Sequence, residues 1–471
     1  MPAAARLFPV ATTLARYTFA PRSGSSRMES VDTLVCARWV LPVEPDGVVL
    51  DDHAVAIRGG RVVALLPAGQ AREQFDATEV IERPHHALLP GLVNAHTHAA
   101  MTLLRGRAEN VSLGPWLREA IWPIEQRWID PEYVRDGTEL AIAEMLRAGV
   151  TCFGDMHLWP EVVARTAAEL HMRASVGLVV VEGPTRWASG PTEYIEKGLA
   201  LRDEYRGDPL VSTFFAPHAP YTVQDDTLLR IRRLADELEI PVAMHLHESG
   251  WEIERSAERH GMRPIERLKK LGLASPLLVA VHLTQVEPAD LDCIAAAGAA
   301  VVHCPQSNLK LGNGVCPVTA LLERGVTVAL GTDGAASNND LDVLSEMQTA
   351  GLLASGVTGR PGSLVAKDLL RMATLEGARA LGLAESTGSL VAGKWADLCC
   401  VDLRTPRSWP VHDVEATIVY ASGAQQVTDT WVAGRHVYVN DTLPYLNEMA
   451  VLERADAWRT RIDAGHGGSE A

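Results

Sequence analysis

The chain has 471 residues, 47% hydrophobic, 22% charged and only 5% aromatic, enough for a (β/α)8 barrel of about 250 residues plus a smaller domain. Lys and Arg total 43 against 59 Asp and Glu, a formal charge of −16, which speaks against a nucleic-acid-binding surface. The longest uncharged stretches, such as Cys293–Leu309, are broken by His, Pro, Gln and Asn and exclude a membrane span, while seven scattered cysteines fit a reduced cytoplasm rather than a disulfide framework.

Residues 1–27 carry four Arg and no acid, the composition of a transit peptide. The competing reading is a mis-called start, with Met28 opening the chain, and either way residues 1–28 stand outside the fold. Ala54–Leu65 reads as two β-rich runs around Gly59-Gly60, a hairpin. From Leu89 to Thr387 the rhythm changes. Short apolar runs recur at 91–98, 151–157, 174–182, 212–218, 241–248, 277–283, 299–305 and 327–333, with helical patterns between most of them. In one such pattern Asp130 caps, Pro131 sits in the first turn and Gly149 ends the helix. Continuously apolar strands alternating with helices predict a parallel sheet covered on both faces. Eight strands fit a closed barrel, with a doubly wound open sheet as the alternative.

A second hairpin, Thr430–Val439, follows the barrel, and an amphipathic helix is expected over Tyr445–Ile462. The reading is therefore an α/β chain: a barrel over 89–387, a small composite β-sandwich from 29–88 plus 388–443, and a terminal helix and tail over 444–471.

Polar residues close nearly every barrel run: His96 and His98, His157, Glu182, His218, His245, His282, His303 and Asp333. All C-terminal ends of a parallel barrel open on one face, where sites form. Residues i and i+2 of a strand share a face, so His96 and His98 reach one ion together. With His245 and Asp333 they make an open, zinc-type set rather than a closed structural one. Glu248, three residues after His245, is placed to move protons for a metal-activated water. His282, one strand further on, is placed to hold the attacking oxygen. His247 points away from His245 while the strand persists, and His303 reads as packing. Gly388–Lys394 nearly spells a P-loop but is followed by Trp395, and His247-Glu248 fails as HExxH because Trp251 takes the last position.

Several stretches together resemble the amidohydrolase superfamily, and within it the 5′-methylthioadenosine/S-adenosylhomocysteine deaminases. They are PGLVNAHTHAAMTLLRG (90–106), WLREAIWPIE (116–125), APHAPYTV (216–223), MHLHES (244–249), HCPQSNLKL (303–311), GTDGAASNNDLD (331–342) and GSLVAGKWADL (388–398). The resemblance spans residues 29 to about 440. It implies one divalent metal ion, usually Zn2+, on His96, His98, His245 and Asp333, with Glu248 and His282 as the catalytic pair. By position it further implies ribose recognition by Glu125, a nucleoside contact at His218 (Glu248 also touches substrate), and a pocket wall at Trp116. The family's arginine contacts to the distal end of the substrate find no match between Glu182 and Arg206. Binuclear relatives carry a bridging lysine on the fourth strand; no lysine lies between Asp208 and Tyr221, so one metal is expected.

The resulting expectation is a hydrolytic deaminase of a small nucleoside, cytoplasmic, with neither nucleic acid nor membrane as partner and compatible with a homo-oligomer. A guanine deaminase or triazine chlorohydrolase shares the metal set but has no use for Glu125. A metal-free binding barrel would have lost a ligand, and all four are present.

Overall fold

The computed structural model describes residues 28–466, so the question about residues 1–27 lies outside the described residues. Fifteen strands form two sheets. The first sheet takes β1 (Glu29–Val40), β2 (Leu50–Arg58), β3 (Arg61–Pro67) and β4 (Phe75–Pro90) from the N-terminal part. It takes β13 (Leu398–Asp402), β14 (Val427–Val432) and β15 (Arg435–Val439) from the C-terminal part. Their order is β15-β14-β13-β4-β1-β2-β3, so the two ends of the chain meet where β4 pairs antiparallel with β13.

This sheet folds over on itself. Val35, Val55, Ile57, Leu398, Cys400 and Trp431, drawn from both halves, share one apolar cluster. The two hairpin turns touch: a Cβ on Gly60 would stand 2.4 Å from the Ala433 carbonyl oxygen, so only glycine admits that approach. Both hairpins read from the sequence are present. The long β4 and its parallel pairing with β1 were not expected, because FDATEVIERPHHALLP mixes charge, proline and apolar residues without alternation.

The second sheet has eight parallel strands in sequence order: β5 (Leu92–Thr97), β6 (Val150–Asp155), β7 (Arg173–Val180), β8 (Val211–Pro217), β9 (Val242–Leu246), β10 (Leu278–His282), β11 (Ala300–His303) and β12 (Val328–Leu330). The Asp333 amide donates to the His96 carbonyl at 3.0 Å, and this bond brings the last strand against the first. The open-sheet alternative is thereby set aside.

Helices cover the strands as the capping signals require. The helix Pro131–Arg147 starts where the Asp130 carboxylate accepts from the Tyr133 amide at 2.9 Å and stops before Gly149, at φ +77°. Gly137 within it lets the helix lie directly on Ala100; a Cβ there would meet the Ala100 carbonyl oxygen at 2.5 Å. That close approach backs the turn just after His98. The last helix runs Glu448–His466, shifted toward the C-terminus from the expected range, and it leans on the barrel through Trp458, whose indole N–H donates to Asp136 at 2.8 Å.

Candidate active site

The barrel mouth gathers the residues singled out in the sequence. One cavity of about 690 Å³ is lined by His98, Trp116, Glu125, His218, His245, Glu248, His282 and Asp333, and His96 lies buried beneath it. A ligand atom from each of His96, His98, His245 and Asp333 falls within 4.8 Å of all the others.

These four fit a cation, and the hydrogen bonds say why. His98 Nδ1 faces the Met156 carbonyl at 2.5 Å and His245 Nδ1 faces the His218 carbonyl at 2.8 Å. A carbonyl only accepts, so both Nδ1 atoms are donors and each neutral ring turns a lone pair inward from Nε2. Those Nε2 atoms stand 3.3 Å apart, and His245 Nε2 lies 3.2 Å from His96 Nε2. Asp333 Oδ1 joins them at 3.3 Å from His98 and 3.5 Å from His96. Acceptors facing acceptors in a buried space call for positive charge at their centre. The titration directions show the same demand for positive charge, met by a proton in competition with a cation for His98 Nε2. Burial alone would lower His98 and raise Asp333, yet the Asp333 contact moves His98 up to about 9, and His96 and His98 hold the Asp333 carboxyl far below its usual range.

Each ligand is held from behind. Asp333 Oδ2 accepts from Ser307 Oγ at 2.6 Å and Ser337 Oγ at 2.7 Å, which leaves Oδ1 free for the centre. Asp333 itself sits at φ +62°, and His247, His282 and Leu283 are also left-handed, at +54°, +77° and +51°. This concentration of strained backbone marks the strand-to-loop corners of the site.

Beside the ligands stand Glu248 and His282, with Glu248 Oε1 at 3.7 Å from His282 Nε2. The carboxyl accepts from Asn313 Nδ2 at 3.0 Å. Burial, and then the charge of Asp333, push it up to about 8. Burial lowers His282; its Nδ1 pairs with Asn308 Oδ1 at 2.9 Å, so as a neutral ring it offers the Nε2 lone pair to the cavity. The Glu248 amide is fixed by the buried carboxylate of Glu252 at 2.8 Å.

Other strand-end residues divide. Burial, and then the neighbouring His98 and His96, take His218 down to about 4; its Nδ1 lies 3.2 Å from Thr222 Oγ1 and its ring packs edge-on against His245 at 4.8 Å. Glu182 lines the cavity, but its carboxylate accepts from the Gln224 amide at 3.0 Å and so ties a loop. His247 is structural: it accepts at Nε2 from the Ile265 amide at 3.1 Å. His303 is buried outside the quartet. The supporting residues Ser307, Asn308 and Asn313 were not legible in the sequence because their partners are distant along the chain, and Ser337 and Glu252, four residues from theirs, because the bonds form across irregular strand-to-helix corners.

A closed parallel barrel whose first, fifth and last strands deliver three imidazoles and a carboxylate to its C-terminal mouth belongs to the class of metal-dependent barrel hydrolases. Residues 87–437 match the amidohydrolase family, and the chain belongs to that family. It is 43% identical over 433 residues to a 5-methylthioadenosine/S-adenosylhomocysteine deaminase of Saccharophagus degradans, covering 92% of this chain and 97% of the relative. A solved structure of an adenosine deaminase from Xanthomonas campestris with bound zinc is 48% identical, with a TM-score of 0.92 over 93% of this chain and 100% of that one. An atrazine chlorohydrolase from Arthrobacter aurescens with zinc and atraton shares the fold, at 22% identity and a TM-score of 0.85 over 90% and 99% of the two chains. Among the described residues no helix is long and apolar enough to cross a membrane.

Proposed function

We propose that the protein is a hydrolytic deaminase that converts the 6-amino group of 5′-methylthioadenosine, S-adenosylhomocysteine or both to the inosine analogue, with release of ammonia. The observation that carries this reading is the meeting in one cavity of the four-residue cluster, the Glu248–His282 pair and the carboxylate of Glu125. The names of the relatives at high identity support it.

His96, His98, His245 and Asp333 would hold a single divalent ion, zinc by the chemistry of the donors, and that ion would make water nucleophilic near neutral pH. Every other step falls to the chain. Asp333, clamped by two serines, and His282, clamped by Asn308, aim the water oxygen at C6. Glu248 takes the proton from that water and delivers it to ring N1 as the C6–O bond forms. It then carries the second proton to the amine as the C6–N bond breaks, so water is consumed and ammonia leaves. A carboxyl raised to about 8 is suited to holding a proton in one step and giving it up in the next. His218 touches the nucleoside, Trp116 walls the pocket, and Glu125 accepts from the ribose hydroxyls.

Apolar side chains, among them Leu113, Trp122, Ile129, Leu158 and Val181, make up much of the cavity lining. The one arginine there, Arg186, donates to the Arg127 carbonyl at 2.9 Å. The largely apolar lining favours the uncharged methylthio tail, and Arg186, with donors beyond the one given to Arg127, is the group a zwitterionic tail would use. In this reading residues 89–387 are the catalytic unit, 29–88 with 388–443 the supporting sandwich and 444–471 a terminal appendage. The seven unpaired cysteines support a cytoplasmic location, and a small-molecule substrate is the only partner the reading needs, with no nucleic acid or membrane.

The deciding experiment is ammonia release, with metal analysis of the same sample, across both thioethers, adenosine, 2′-deoxyadenosine, adenine, guanine and a chlorotriazine. The thioether nucleosides are expected to lead. Best turnover on guanine or the triazine would overturn the assignment, since a bare ring makes no use of Glu125.

A further inference from the structure

We infer that His157, which no step above uses, is a positioning residue that holds the Glu125 carboxylate for the ribose and so sets the preference for a 2′,3′-diol; this rests on the deaminase reading. His157 stands two residues past the end of β6, lines the cavity and is 5% exposed. Its Nε2 lies 3.5 Å from Glu125 Oε1 and has no hydrogen-bond partner. Its Nδ1 faces the Leu158 carbonyl at 3.2 Å.

Both neighbours of this ring are acceptors: the doubly protonated ring donates to both, and the Nε2–H tautomer donates to Glu125 by giving up the Leu158 contact. Among the described residues Glu125 has no other side-chain donor within reach, although its side chain is only 18% exposed. A carboxylate so enclosed, with one donor at its flank and the rest of its acceptors open to the cavity, lacks what a vicinal diol supplies. Contacts of this kind are commonly long without substrate and tighten on binding. Glu125 sits on the helix Trp122–Trp128, reached through the irregular turn Trp116–Ile121. Core side chains Ile121, Ile124 and Ile129 anchor that segment to the barrel, and the His157 contact fixes the Glu125 carboxylate itself against the rim.

The test uses the full-length, metal-loaded protein with His157→Phe and His157→Gln, assayed on 5′-methylthioadenosine and its 2′-deoxy counterpart. A lost hydrogen bond to a charged group is worth roughly a ten- to hundredfold change. For His157→Phe, KM for the ribonucleoside should rise by that factor with kcat within about twofold, and the ribose-to-deoxyribose preference should fall by the same factor. His157→Gln, whose amide N–H reaches toward the Nε2 position, should restore most of the preference. In a Glu125→Gln background His157→Phe should change nothing more, and calorimetric binding of the inosine product to the metal-free protein should weaken in parallel. An unchanged preference in His157→Phe, equal losses on both substrates, or additive effects with Glu125→Gln would overturn the inference. A wild-type protein inactive on every ribonucleoside would instead overturn the deaminase reading itself.

Discussion

Two buried aspartates, one at each end of the barrel, have opposite surroundings. Asp397, just before β13, joins the barrel to the terminal sheet. It accepts from Arg173 Nε at 2.6 Å and Nη2 at 3.1 Å, from Thr387 Oγ1 at 2.7 Å and from the Ala433 amide at 2.7 Å. Its charge is matched and its lone pairs are filled by the protein alone. Asp333, at the mouth, has two serine hydroxyls on one oxygen and imidazole nitrogens on the other. The first arrangement is complete as folded and contributes to structure; the second is complete only with a cation. Burial of a carboxylate therefore says little about function until its partners are sorted into donors and acceptors.

The contrast can be broken first at its functional end. Asp333→Ala or His96→Ala should abolish both bound metal and turnover, read by elemental analysis and ammonia release, because affinity depends on the full ligand set. Chelation should lower the melting temperature of the wild type and leave that of Asp333→Ala unmoved. An ion present at a thousand times its Kd stabilises by about 4 kcal/mol, and only the intact quartet has that to lose. Metal-depleted protein with full activity would defeat the whole scheme.

Glu248→Gln tests the next layer. It keeps the shape and the ligands while removing the group that moves protons, so bound metal should persist and kcat should fall by about 10²–10⁴. Near-normal turnover would assign the proton transfers elsewhere.

At the structural end, Asp397→Ala strands the buried Arg173 without a partner. It should cost about 3–5 kcal/mol in a denaturant titration, with kcat per folded molecule preserved. Loss of metal without loss of stability would reverse the comparison.

The smallest effect concerns Asp429 in β14. Burial alone would raise it, but hydrogen bonds from His436 and Arg83 hold it well below the usual carboxylate range. A depressed carboxyl contributes stability that is present above its unfolded value of about 3.9 and is lost as pH falls toward the folded value. Acid unfolding of Asp429→Asn should accordingly show a shallower dependence below about pH 4 than the wild type, with the two curves parallel above it.

Much of this was legible in the residues because a parallel barrel has a simple grammar. Apolar runs ending in His or Asp place their last side chains on one rim, so the sequence alone groups His96, His98, His245 and Asp333. The roles of Glu248 and His282 rested on their places one loop and one strand beyond His245. The pairing of His157 with Glu125 was not legible, since one lies on a strand end and the other on a helix behind an irregular turn. Of the serines behind Asp333, Ser307 was hidden for the same reason, being on a helix after β11 that no periodicity links to β12, and Ser337 because it bonds back four residues across an irregular loop. In the terminal sheet, β4 escaped notice because its pattern carries proline and charge on a strand whose neighbours, β1 and β13, come from opposite ends of the chain.

The bond between the Asp333 amide and the His96 carbonyl makes the ligand cluster a clasp on the barrel's seam. During synthesis the two histidines of the first strand emerge long before the aspartate of the last, and such distant pairings form late. In the proposed reading the growing chain holds an incomplete ion site until the barrel shuts, and metal capture would report that closure has occurred. Amides along that seam, those of Thr332 and Asp333 first, should be the ones whose hydrogen exchange slows most when an ion binds.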